Sequence, residues 1–281
     1  MSERMDDTLS RRAQRTLAYG FLFFILISMA TPFVWMLSNT IKEQSEIFQM
    51  PPTLIPEEPH FRNYVSLFVD FDFARHFLNS AFIAVVHTIS HLFLASLAGF
   101  AFAKYTFPLK NFLFLVLLGS MMVPLYTIFI PLFVLVIRLG LVNSYAGVII
   151  PGVAGAFGIF FMKQSMEAVP GELLDSARID GASEFRIYWQ IALPLVRPAL
   201  AVLAVLAFMN SWNDFVWPLV VLRSRELQTL PVVMAGMVSL YRMEYGVVMA
   251  ASLLSTMPIL LLFLALQKQF LAGLTVGAVK S

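Results

Sequence analysis

The charged residues of this chain come in bunches, and between the bunches run apolar stretches of about twenty residues or more. That spacing leaves few folds open. About twenty apolar residues wound as a helix rise about 30 Å, the thickness of a bilayer's hydrocarbon core. In lipid each backbone polar group must be satisfied without water, so such stretches cross as helices. Six of them are predicted, at about 17–38, 77–102, 111–137, 144–166, 197–220 and 247–270. The charged fraction agrees: 13% of residues are Asp, Glu, Lys or Arg, against roughly 25% in a soluble domain. The predicted fold class is an all-α integral membrane protein of six transmembrane helices.

The charged tail 1–16 is followed by an apolar run too long for the core of a cleaved signal peptide, with no small-residue cleavage site after it, so a retained first span is expected. Lys and Arg set the orientation. With the N-terminus inside, the inner side holds Arg4, Arg11, Arg12, Arg15, Lys104, Lys110, Lys163, Arg178, Arg186, Arg197, Lys268 and Lys280. The outer side holds Lys42, Arg62, Arg75, Arg138, Arg223, Arg225 and Arg242, a smaller set that favours both termini inside. The six-span domain, 17–281, then has outer loops at 39–76 and 221–246, one long inner loop at 167–196 and an inner tail at 271–281. Pro124 and Pro131 are expected to kink or break span three. Pro51, Pro52, Pro56 and Pro59 make the first outer segment ordered loop or short helix. The second, more apolar, is expected to dip back toward the membrane.

The inner loop is the one cytoplasmic feature large enough to dock a partner. It reads VPGELLDSARIDGASEFRIYWQIALPLVRP. Pro170 suits a helix start, and Glu172 and Asp175 lie near the positive end of that helix dipole. Leu173, Leu174 and Ala177 give it an apolar side, and Gly181 supplies the left-handed residue that ends it. Ser183 caps a second helix carrying Phe185, Tyr188, Trp189 and Ile191, which Pro194 is expected to stop. The small residues Ser176, Ala177, Gly181 and Ala182 would let a partner approach closely. On chemistry alone this elbow also suits a membrane-surface role.

The spacing of Asp175-Ser176-Ala177, Gly181 and Ile191-x-Leu193-Pro194 resembles the EAA loop of binding-protein-dependent ABC importer permeases, and its flanks resemble the carbohydrate, maltose-type branch with a MetI-like transmembrane domain. Asp175 stands for the usual Glu and Ser176 for the usual Ala, keeping charge and small size. Phe61-Arg62-Asn63-Tyr64, Leu78-Asn79-Ser80, Ser211-Trp212-Asn213-Asp214-Phe215 and the ending AGLTVGAVKS resemble further elements of the family. The resemblance runs from about residue 16 to the end. It implies the type I importer fold, with the elbow as coupling helix seated in an ATPase cleft through Glu172, Leu174, Asp175, Ala177 and Gly181. It also implies the partners: an ABC ATPase dimer, a second, paralogous permease, a solute-binding protein, membrane lipid, and a sugar or polyol as cargo. ATP and Mg would bind the ATPase, leaving this chain no cofactor and no bond-making residue. The location implied is the cell (inner) membrane of a bacterium or archaeon.

Other chemistry is thin. No GxxxxGK[ST] loop is present, so the chain is not its own P-loop ATPase. There is no cysteine for disulfides or thiolate metal sites, and a net charge of +2 gives no sign of nucleic acid. His87 and His91 lie one turn apart in span two, but the Glu of HExxH is missing. Two neutral histidines bonded to neighbouring helices is the expected arrangement, and lining a pathway is the alternative, with nothing in the sequence to support it. In span five, Asn210, Trp212, Asn213, Asp214 and Trp217 put an acid, amides and indoles at membrane depth, where they are costly unless they face water, substrate or a partner. That is sugar-binding chemistry, and it is equally the chemistry of an interface belt and of helix-helix polar contacts. An ion-coupled secondary transporter working without an ATPase is the rival function. An intramembrane enzyme is a third, with no catalytic pair to support it.

Overall fold

The computed structural model describes the backbone of residues 2–238 and 244–278, and side chains from 14 to 238 and from 244 to 269. Arg242 and Lys280 of the orientation argument, and the end of the C-terminal tail, lie outside the described residues. The helices are α1 (Ser2–Asn39), α2 (Gln44–Ile47), α3 (Arg62–Val69), α4 (Phe73–Lys104), α5 (Lys110–Met121), α6 (Leu125–Arg138), α7 (Tyr145–Ile149), α8 (Ala156–Glu167), α9 (Gly171–Ile179), α10 (Glu184–Ile187), α11 (Leu193–Leu195), α12 (Arg197–Trp212), α13 (Val216–Val221), α14 (Leu230–Met237) and α15 (Tyr245–Ala278). The last continues into the stretch expected as tail.

Three straight segments are long and apolar enough to cross a bilayer: Gln14–Asn39, Phe73–Lys104 and Tyr245–Gln269. Three more qualify as bent pairs: α5 with α6 at 103°, Tyr145–Gly152 with α8 at 45°, and Glu184–Leu195 with α12 at 84°. The prolines explain part of this. Pro124 is the extended N-cap of α6 and coincides with the 103° break, whereas Pro131 lies inside α6 without ending it. Pro194 does not stop the elbow's second helix. The chain passes from α10 through a π turn, Tyr188–Ala192, into α11, and bends at Val196. A π turn widens the backbone just before the proline ring, where its missing donor and its crowding would otherwise break the helix. Pro198 sits at the start of α12, where no intrahelical donor is needed. Span five, expected as one helix over 197–220, is divided: the 16 residues of α12 rise about 24 Å, and α13 restarts after a turn at 213–215.

The chain forms two compact units, residues 1–72 with 237–254, and 73–236 with 255–281. In the first, the turn after α1 is built on buried Lys42, whose ammonium bonds the carbonyl and hydroxyl of Thr53 and lies over the Trp35 ring, 5.2 Å from its centroid. Asn63 donates to the carbonyls of Thr40 and Lys42, each at 2.9 Å, and the Tyr64 hydroxyl donates to Thr40 Oγ1 at 3.0 Å. The Asn-Tyr pair is thus a clasp between α3 and the end of α1. On α1, Phe21 and Phe24 are 64% and 68% exposed, a surface that only lipid or another apolar body satisfies.

In the second unit α4 packs against α8 and α12. Ala95 and Phe100 of α4, Met162 and Met166 of α8 and Leu203 of α12 form a core that continues into the elbow through Leu174, Ile187 and Tyr188. A second core, around Ile83, Val136, Val148, Trp217 and Val221, joins α4, α6, α7 and α13. Asn79 donates to the carbonyls of Glu226 and Gln228, and Ser80 Oγ accepts the Leu230 N–H at 2.7 Å. The Asn-Ser opening of span two therefore fastens the segment after α13.

Candidate functional site

The elbow is set by its own chain. α9 ends in a Schellman motif: the Ala182 N–H reaches the Ala177 carbonyl and the Gly181 N–H reaches Arg178, both at 3.0 Å. Gly181 has φ +80°, which side-chain-bearing residues rarely adopt. Ser183 Oγ accepts the Arg186 N–H and caps α10. Arg178 spans the joint, donating to Asp175 at 2.6 Å and to both oxygens of Glu184 at 2.8 and 3.2 Å. The Tyr105 hydroxyl, in the turn after α4, donates to the same Glu184 carboxylate. Together the Arg178 guanidinium and the Tyr105 hydroxyl hold the Glu184 carboxyl below its usual range. Inside the joint, the Tyr188 hydroxyl and Ser96 Oγ are 2.7 Å apart and buried, which ties the elbow to α4.

The structure divides the expected coupling residues. Glu172, Asp175 and Gly181 are exposed, whereas Leu174 and Ala177 are covered by this chain's own core. Leu174 and Ala177 therefore fasten α9 from beneath. The apolar surface the elbow presents consists of Leu173 at 47%, Ile179 at 86%, Phe185 at 59% and Trp189 at 53% exposure. Helical periodicity places Leu173 and Leu174 on neighbouring faces, and sequence alone does not say which face the core takes.

The polar residues of span five part ways as well. Asn210, Asp214 and Trp217 line one cavity of about 180 Å³, together with Ser211, with His87 of α4 and with Leu125, Phe129 and Leu132 of α6. Trp212 does not join them. It is buried, donates its indole N–H to the Ser255 carbonyl at 3.0 Å, and stacks on Phe208. Asn213 is exposed and donates to the Met209 carbonyl at 3.0 Å. Trp217 donates to the Gly147 carbonyl at 3.1 Å and meets Phe129 edge-on, so it is wall and strut together. Asp214 Oδ1 accepts the Trp217 N–H at 3.4 Å, at the restart of the helix.

His87 lines the cavity and pairs with His91 one turn along α4. The rings of His87 and His91 stack with 7° between planes, and His91 Nδ1 bonds the Val153 carbonyl at 3.1 Å, in the break of span four. A β-carbon on Gly158 would stand 2.3 Å from His91 Nε2, so α8 approaches that ring only because position 158 is glycine. The sequence offered His87 as a pathway-lining residue without support for it, and the α6 wall was not legible as part of a site. The signal available was the pair of breaks at Pro124 and at 153–155, where the chain bends by 103° and 45°.

A chain with three straight and three bent candidate spans, and an ordered elbow joining the last two bent ones, has the architecture of a helical membrane protein. Residues 91–276 match the binding-protein-dependent transport system inner membrane component family, and the chain belongs to that family. It is 38% identical to the arabinooligosaccharides transport system permease protein AraQ of Halalkalibacterium halodurans, over 94% of this chain and 95% of that one. It is 37% identical to the lactose transport system permease protein LacG of Rhizobium radiobacter, over 98% of this chain and 100% of that one. A crystal structure of a bacterial ABC transporter involved in import of the acidic polysaccharide alginate superposes with a TM-score of 0.81 at 25% identity, covering 93% of this chain and 98% of that one. The chain is thus a permease subunit of an ABC importer, not an enzyme, and nothing supports an ion-coupled carrier.

Proposed function

We propose that this permease carries a sugar or related polyol, delivered by an extracytoplasmic solute-binding protein, through a path it shares with a second, paralogous permease. A separate ATPase dimer, which binds ATP and Mg, drives it through the elbow. Both termini are cytoplasmic and the host membrane is a prokaryotic cell membrane. The relatives named for arabinooligosaccharides and lactose support the carbohydrate reading. The mechanism is alternating access: ATPase closure draws the elbows together, and the spans rock to expose the cavity to the other side. Such a shift requires that ATP-bound partners prefer one of the two states.

The observation that carries the coupling role is the elbow's construction. Leu174 and Tyr188 lock its internal side and the part-exposed Arg178–Glu184 pair locks its joint, while Ile179, Phe185 and Trp189 stay uncovered beside Glu172 and Asp175. A rigid knob with an apolar tip transmits force; a floppy one does not. The Arg178 joint fixes the angle between α9 and α10, and the π turn with the bend at Val196 passes that angle to α12. The natural chain has no cysteine, so Ile179→Cys gives a single reactive thiol. In the assembled importer it should cross-link to the ATPase, with a yield that changes on adding ATP. An Ile179→Cys importer that transports normally yet never cross-links to the ATPase refutes the coupling role.

A further inference from the structure

The cavity beside Asp214 has two unlike walls. Leu125, Phe129 and Leu132 of α6 form an apolar face, while His87 of α4 and Asn210, Ser211 and Asp214 from the end of α12 supply donors and acceptors. Its volume, about 180 Å³, falls below the roughly 300–1,000 Å³ of a complete small-molecule site, so this chain builds part of a site, with room for one ring-sized group. A sugar ring suits such walls, with a C–H face for Phe129 and hydroxyls for the amide and carboxylate. Among the described lining residues Asp214 is the one Asp, Glu, Lys or Arg, and no cation balances it. One of its oxygens accepts the Trp217 N–H, and a carboxylate offers about four acceptor positions, so capacity remains for hydroxyl donors.

We infer that Asp214 makes this cavity selective for uncharged sugar rings over anionic ones, such as uronates or phosphorylated polyols. This rests on the carbohydrate reading and goes further, because the relatives and structural neighbour include a carrier of an acidic polysaccharide as well as of neutral sugars, so family membership leaves cargo charge open. A hydroxyl brings a donor to the carboxylate, whereas a second anion brings only acceptors and like charge. Two unit charges about 3–4 Å apart in an effective dielectric of about 20 repel by an amount worth roughly three to four powers of ten in affinity. Water in an open cavity reduces this, so a tenfold effect or more is expected.

The test uses the assembled importer in detergent, with equilibrium binding of a neutral panel (lactose, arabinobiose, arabinotriose) and an anionic panel (digalacturonate, glycerol phosphate). The wild-type complex should bind neutral ligands at least tenfold more tightly than anionic ones. Asp214→Asn keeps an acceptor oxygen for the Trp217 N–H, so the helix restart survives, which thermal unfolding checks; the neutral-to-anionic ratio should fall by tenfold or more. Asn210→Asp, which adds a second carboxylate to the same wall, should raise it. An unchanged ratio in Asp214→Asn, or a wild-type preference for the anionic panel, overturns the inference while leaving the carbohydrate reading intact. Binding of neither panel by the wild type overturns the carbohydrate reading, and this inference with it.

Discussion

Gly181 offers the sharpest test of the elbow, because its substitutions separate backbone strain from surface chemistry. Its φ of +80° costs a residue with a β-carbon about 1–2 kcal/mol, and no heavy atom lies within 4 Å of a β-carbon placed there. The cost is therefore local and torsional, without a clash in the core. Asn and Asp tolerate the left-handed region better than other residues, so Gly181→Asn and Gly181→Asp should lose less than Gly181→Ala, and Gly181→Val should lose most. At 25 °C a cost of 1–2 kcal/mol is a factor of about 5–30 in the population of the ordered joint. Asn and Asp are nearly isosteric, so any difference between them reports the charge added to an exposed face that already holds Glu172, Asp175 and Asp180. Membrane insertion should be normal for all four. Gly181→Asp should abolish transport in the assembled importer, and Gly181→Asn should retain a substantial part of it. The assays are substrate uptake into proteoliposomes and ATP hydrolysis stimulated by the substrate-loaded binding protein. A Gly181→Asp complex that imports and hydrolyses at wild-type rates refutes the coupling assignment, and a Gly181→Val complex as active as Gly181→Asn refutes the reasoning from φ.

Tyr188→Phe should cost about 1 kcal/mol, because Ser96 Oγ keeps its bonds to the Leu92 and Phe93 carbonyls; thermal unfolding of Tyr188→Phe, Ser96→Ala and the double variant measures the coupling. Gly158→Ala should destabilise by about 1–3 kcal/mol, since its β-carbon would meet His91 Nε2 at 2.3 Å, and adding His91→Ala should recover part of the loss in the same unfolding assay. Acid should loosen the elbow. The Glu184 pKa is lowered by the Arg178 and Tyr105 hydrogen bonds, so its contribution is complete above the unfolded carboxyl pKa and is lost as pH falls through the lower folded value. Amide exchange over residues 171–187 should accelerate on acidification in the wild type and show a smaller acid response in Glu184→Gln. The effect is small, because both partners are about a third to a half exposed.

The reading of this chain from residues alone succeeded where the physics is local. The Schellman end at Gly181, the cap at Ser183, the break at Pro124 and the loop or short-helix character of the segment after α1 all follow from backbone preferences within a few residues. It missed where a distant partner decides. Pro194 sits in a helix because a π turn precedes it, and the turn is held by Tyr188 reaching Ser96, 92 positions away. Asn210, Trp212, Asn213, Asp214 and Trp217 looked like one polar group along span five, yet Trp212 points to Ser255 and Trp217 to Gly147, and only three of the five share a cavity. His87 belongs to that cavity through the packing of α4 and the bent limbs beside it, which no local pattern encodes.

By itself the sequence determined that the chain lives in a membrane, since long apolar helices with bunched charges have no other stable solvent. It also determined where the elbow turns, because a left-handed residue and a side-chain cap act over a few bonds. Which side of that elbow is covered, which polar groups face a shared cavity and which prolines bend the path were decided by the tertiary structure. The reason is one of range: torsional preferences and helix periodicity are set by neighbours in the chain, whereas burial and hydrogen-bond satisfaction are set by whichever distant helix arrives to share the same surface.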